Sequence, residues 1–132
     1  MSLRISLRDG EKVIVNGAVL RSVGRTDLRL ENGASVLRGR DVMGPEEANT
    51  PARRLYFACM MAYIDGGERT IHQDNIIDLV RELLAALKAP EAQATCVSFA
   101  QKVACQQFYT ALADCRWLMT YEAELLATAQ AA

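Results

Sequence analysis

The sequence is poor in the groups that carry out chemistry. Its 132 residues include one histidine, one tryptophan and three prolines. No Ser–His–Asp or Cys–His arrangement can be built without His72, and nothing in the sequence places it near a thiol. Beside Gln73 and Asp74 it reads as a surface or capping residue. Cys59, Cys96, Cys105 and Cys115 stand 37, 9 and 10 residues apart, with no CxxC pair. That spacing argues against zinc and thioredoxin-type redox sites. The thiols read as reduced, packed as small hydrophobes in a cytoplasmic protein. Asp65-Gly66-Gly67-Glu68 lacks the lysine and the preceding strand of a phosphate loop. The carboxylates fall on wet helix faces, where acid–base work has no burial to support it. The expectation is a non-enzymatic chain with no metal and no cofactor.

Long hydrophobic runs are missing too. None approaches the ~18 residues of a membrane helix, and Met1 to Gly10 has no signal-peptide stretch. No membrane partner is expected, and the chain is placed in the cytoplasm. At 132 residues it is one domain by size and needs no disulfide to fold.

The third absence is aromatic. No Phe, Trp or Tyr precedes Tyr56, so base stacking on a sheet, as in RRM domains, is excluded for residues 1–55. Charge is abundant there and unevenly spread. Residues 1–40 carry eight basic groups against four acidic ones, a net +4, and residues 55–132 carry five against nine, a net −4. Seven of those eight N-terminal cations are arginines, whose planar forks bind phosphate in bidentate fashion.

Residues 1–40 read as β. Leu3, Ile5 and Leu7 alternate with Ser2, Arg4, Ser6 and Arg8, the period of a half-buried strand. Further strands are predicted over Lys12–Val15, Ala18–Val23, Thr26–Glu31 and Ala34–Leu37. Asp9-Gly10, Asn16-Gly17 and Asn32-Gly33 supply turns about every eight residues, as in a meander. Residues 41–50 read as a connecting loop.

Thr50-Pro51 has the signature of a helix start. The first helix is expected to bury Leu55, Tyr56, Cys59, Met60 and Tyr63 and to stop before Gly66. A second repeats Ile76, Ile77, Leu79, Val80, Leu83, Leu84 and Leu87, with Asp74, Asp78 and Glu82 on its wet face. Pro90 breaks it. From Glu91 onward no Gly or Pro stops a helix, and the tail Ala127 to Ala132 is expected to fray. Along this stretch Cys105, Phe108, Leu112, Cys115, Met119 and Leu126 form a stripe interrupted at Glu122. It either packs on a neighbouring helix or makes a homodimer seam. The predicted fold is α+β: a small antiparallel β-meander (1–40), a loop (41–50) and a bundle of three to four helices (51–132), forming one compact unit.

The candidate binding residues are cationic. Arg4, Arg8, Arg21, Arg25, Arg29, Arg38 and Arg40 decorate the β segment. Arg53 and Arg54 stand in the first turn of a helix, where they oppose the dipole. Together with the free N–H groups there, they would form an anion site unless Asp41, Glu46 or Glu47 neutralises them. Charge runs are otherwise simply solvated surface.

Several blocks resemble the start of the FlbT family: Leu7-Arg8-Asp9-Gly10-Glu11-Lys12, Val15-Asn16-Gly17-Ala18 and Ala34-Ser35-Val36-Leu37-Arg38. So do Asp41-Val42-Met43, Thr50-Pro51-Ala52-Arg53, and Tyr56-Phe57 followed by Met60-Met61 and Tyr63. Phe108-Tyr109-Thr110-Ala111-Leu112 and Tyr121-Glu122 fit the same pattern. The resemblance implies a bacterial regulator of flagellum biogenesis that associates with the 5′ untranslated leader of flagellin mRNA, represses translation and promotes decay. It supplies no catalytic residue. The alternative is an adaptor or chaperone that holds flagellin or another flagellar regulator. On the first reading, Arg38→Glu or Arg53→Glu weakens RNA binding without unfolding the protein.

Overall fold

The computed structural model describes residues 3–131. Ser2 of the expected first strand and Ala132 of the tail lie outside them. The architecture is α+β, five short strands followed by four helices. The chain divides into two compact units. One takes in the chain up to Val42 together with Ile64–Gly66, and the other Met43–Tyr63 and Gly67 onward.

The strands are β1 (Leu3–Leu7), β2 (Lys12–Val15), β3 (Ala18–Arg21), β4 (Thr26–Leu30) and β5 (Val36–Arg38). Their pairing corrects the expected meander. β1 pairs with β4, and a separate three-stranded sheet runs β3-β2-β5, all antiparallel. Asn16-Gly17 is the one turn that joins paired neighbours. Both residues have positive φ, 50° and 85°, as a two-residue hairpin with the native twist requires. Gly17 also lies against the Ile64 carbonyl, where a Cβ would stand 3.0 Å from the oxygen. At Asp9-Gly10 the chain turns, but Gly10 N–H donates to the Ser22 carbonyl and Ser22 N–H to the Glu11 carbonyl. The turn therefore extends the β2–β3 ladder instead of folding β2 back on β1.

The core of this unit is small and aliphatic: Ile5, Leu7 and Val13, with Val15 and Val36 packed on it. Ile14 and Leu37, paired across β2 and β5, are buried on the opposite face of that sheet. β3 is exposed along its whole length.

The helices are α1 (Pro51–Ile64), α2 (Arg69–Ala86), α3 (Pro90–Ala104) and α4 (Phe108–Ala131). Thr50 caps α1 as its sequence predicts, its hydroxyl accepting the Arg53 N–H. Leu55, Tyr56, Cys59 and Met60 are buried and Tyr63 half-buried. α2 buries Ile76, Val80 and Leu83, with Leu87 buried just past its end and Leu79 and Leu84 half-buried, while Asp74, Asp78 and Glu82 stay wet; of the predicted repeat Ile77 alone is exposed. The Gln93 amide donates to the Leu84 and Leu87 carbonyls and so closes the C-terminus of α2.

The predicted uninterrupted helix after Glu91 is broken at 105–107. Gln107 N–H donates to the Lys102 carbonyl and Gln106 N–H to the Val103 carbonyl, the paired bonds of a Schellman C-cap. Gln106 occupies its left-handed position at φ 59°, where a glycine is usual. The break lets α4 turn back on α3, tied by Lys102 Nζ at 3.0 Å from Asp114 Oδ2 and by Ser98 Oγ donating to the same oxygen. The helix continues through the alanine tail to Ala131.

Candidate nucleic-acid interface

Arginine clusters on the β unit because each one follows from the strand layout. A cleft of about 1030 Å³ opens among Ser6, Arg8, Glu11, Arg25, Arg38 and Arg40. Arg8 stands just past β1, Arg25 in the turn between β3 and β4, and Arg38 and Arg40 at and beyond the end of β5. Gly39 sits between these last two. A Cβ there would stand 2.9 Å from the Lys12 carbonyl oxygen, so glycine allows the chain to pass this close to β2.

Four arginines face two carboxylates in this cleft, and both carboxylates hold backbone. Asp9 Oδ1 accepts the Gly24 N–H at 2.8 Å. Glu11 Oε1 accepts the Arg8 N–H at 3.0 Å, and its other oxygen lies 3.6 Å from Arg38. Arg38 is the structural member of the four. Its Nη2 donates to the Ser6 carbonyl at 2.6 Å, and its buried Nε has no partner. Arg38→Glu would set a second carboxylate beside Glu11 and leave the Ser6 carbonyl without its donor, so that variant tests folding as much as binding. Among the described residues no ion pair is made by Arg8, Arg25 or Arg40. Their donors remain available to an anion.

The other predicted cations fall elsewhere. Arg4 lies 3.7 Å from Asp27 and opposite Arg29 on the β1–β4 ribbon. Ser6 donates to Asp27 at 2.7 Å, and this bond, with Arg4 and Arg25 nearby, lowers the carboxyl pKa. Arg21 sits opposite Lys12 on β3.

Arg53 and Arg54 belong to the helical unit, and the anion site expected around them is filled by the chain itself. Ala52 N–H donates to Glu122 Oε2 at 3.0 Å, across 70 residues of sequence, and both groups are buried. Arg53 donates to Asn49 Oδ1 at 2.9 Å. The carboxylate that answers the Ala52 N–H is Glu122. The interruption it makes in the apolar stripe was the available signal, since a buried carboxylate needs a donor.

In that stripe Phe108, Leu112 and Cys115 are buried in the helical unit, Met119 is half-buried and Cys105 exposed. α1 and α4 run antiparallel, joined by Ala52–Glu122, Tyr56–Arg116 and Cys59–Phe108 hydrogen bonds and by ring contact between Tyr63 and Tyr109. Burial raises the Cys96 thiol pKa. It raises that of Cys115 well above the usual value, with help from neighbouring Cys59. His72 is half-buried on α2. Among the described residues no three His, Cys, Asp or Glu side chains gather as a metal site. No helix there is long and apolar enough to cross a membrane.

The β unit of this α+β chain thus carries an open cleft lined by four arginines. The family model described as "Flagellar protein FlbT" matches residues 3–126. The "Probable flagellum biosynthesis repressor protein FlbT" of Caulobacter sp. (strain K31) is 37% identical over 127 residues, covering 96% of this chain and 97% of the relative. The "Flagellum biosynthesis repressor protein FlbT" of Caulobacter vibrioides (strain ATCC 19089 / CIP 103742 / CB 15) is 36% identical, covering 96% and 90%. The "Probable flagellum biosynthesis repressor protein FlbT" of Allorhizobium ampelinum is 41% identical over 101 residues, covering 70% and 68%. The chain belongs to the FlbT family. No solved structure matches it.

Proposed function

We propose that this protein represses flagellum synthesis, as the names of its relatives say of them, and does so after transcription. It binds the 5′ untranslated leader of flagellin mRNA in the cytoplasm, lowers translation and promotes decay. The observation that carries this reading is the cleft of Arg8, Arg25, Arg38 and Arg40, in which the carboxylates are committed to backbone groups. Guanidinium forks suit phosphate oxygens, and a unit without aromatics grips RNA by its backbone. No step of this function needs a catalytic residue.

The test is binding of the purified protein to a flagellin leader RNA and to a scrambled control across a salt series. The leader is expected to bind more tightly, with a slope of a few released counterions. Arg8→Ala, Arg25→Ala and Arg40→Ala should each reduce that slope by roughly one. Equal, weak binding to both RNAs that vanishes with salt would overturn the reading.

One observation favours a second reading, an adaptor or chaperone for flagellin or another flagellar regulator. Val19, Leu20 and Val23 are exposed on and beside the open strand β3, Val23 at 92%, and sheet edges accept extended peptides. Co-purification with flagellin that is lost in a Val19→Lys variant, without RNA binding, would establish it instead.

A further inference from the structure

Trp117 and Tyr121 lie one turn apart on α4, their ring centroids 5.2 Å apart and their planes 9° from parallel. Trp117 keeps 39% of its surface exposed. They line a recess of about 380 Å³ bordered by Arg116, Thr120 and Glu124. The remaining helical aromatics are engaged differently: Tyr56, Phe99 and Phe108 are buried, Phe57 is half-buried on α1, and Tyr63 packs against Tyr109. The β unit has none. Resting on the RNA-binding reading above, a chain that recognises unpaired bases must take its stacking surface from the helices.

We propose that the plate presented by the outer face of the stacked Trp117–Tyr121 pair receives one unpaired purine of bound RNA, guanine in preference. Flat aromatic rings accept any base face. The groups at the rim select among bases. The Glu124 carboxylate only accepts hydrogen bonds, and guanine offers it the adjacent N1–H and N2–H donors of its Watson–Crick edge. The Arg116 guanidinium only donates, and guanine presents O6 and N7 as acceptors. Thr120 does both. Arg116 is already positioned, bonded to the Tyr56 hydroxyl and lying over its ring. Cytosine and uracil present less area to the plate.

Trp117 is the only tryptophan in the chain, so its emission reports on this plate alone. The full-length protein is titrated with end-labelled single-stranded oligouridine carrying one central G, A, C or U, following label anisotropy and tryptophan emission together. Quenching is expected, strongest with G, and Trp117→Leu should weaken binding of the G oligomer about tenfold while leaving the salt slope unchanged. RNA binding with unchanged emission and an unaffected Trp117→Leu variant overturns the stacking site and leaves the RNA reading standing. No response in either signal overturns the stacking site, while the leader titration above decides the RNA reading separately. Emission that changes with protein concentration before RNA is added means a second copy covers the plate, and also overturns it.

Discussion

The two units treat anions in opposite ways. At the α1 terminus of the helical unit the Ala52 N–H meets Glu122, a carboxylate from the same unit, the Arg53 and Arg54 N–H groups meet Thr50, and the terminus is closed. In the β unit the cleft arginines outnumber the carboxylates, and those carboxylates are already bonded to Gly24 and Arg8 backbone. The difference follows from how much each fold can cover. Four helices of 14 to 24 residues bury aromatic and aliphatic side chains from several directions. Strands of three to five residues bury a handful of aliphatic ones and leave their polar faces to solvent. The arginine cleft lies where the core is smallest.

The strongest way to break this contrast is to truncate one hydrophobic side chain in each unit, a buried one and an exposed one. Phe99, fully buried, should cost about 3–5 kcal/mol as Phe99→Ala, read from urea unfolding followed by Trp117 emission. Leu20→Ala on exposed β3 should stay within about 0.5 kcal/mol by circular dichroism. A comparable loss from Leu20→Ala would mean the β3 surface is covered. Next is the closed anion site. Glu122→Ala leaves the buried Ala52 N–H unpaired and should cost about 1–3 kcal/mol. Glu122→Gln, which keeps an acceptor, should recover part of that loss in the same unfolding measurement.

Smaller is a gain. Gln106 holds a left-handed backbone, so Gln106→Gly should raise stability by about 0.5–1 kcal/mol; an unchanged urea midpoint would show that the C-cap carries no strain. The smallest effects are in pH. Burial keeps the Cys96 and Cys115 thiols neutral in the fold, whereas the unfolded chain ionises them near 9. Stability present below pH 9 is therefore lost as pH rises beyond it. Asp27 runs the other way. Its lowered value in the fold adds stability above about pH 4, lost as pH falls through that lowered value. The difference between wild type and Ser6→Ala should shrink over that range in acid unfolding curves.

Much of this was legible in advance. Strand and helix positions follow from side-chain period and from turn residues, and Asn16-Gly17, Thr50-Pro51 and the α2 stripe stand where their chemistry puts them. Strand order was not legible, because Asp9-Gly10 specifies a turn without specifying which strand comes next in space. The break at Gln106 was hidden because its hydrogen bonds are made by backbone, which any residue carries. Of nine candidate arginines, four gather in the cleft. The count and the excess over lysine were visible, but their convergence was not.

By itself, the sequence determined the class: α+β, with a basic aromatic-free segment ahead of acidic helices and one histidine to serve any chemistry. Those are properties of composition and local period, which each residue carries wherever the chain goes. Only the tertiary structure decided which charges are satisfied. Arg38 is drawn inward by Ser6 and Glu11, Glu122 reaches across 70 residues to Ala52, and Arg8, Arg25 and Arg40 line the cleft. Whether a charge is answered depends on what stands within a few ångströms of it, and that is set by how distant segments fold together.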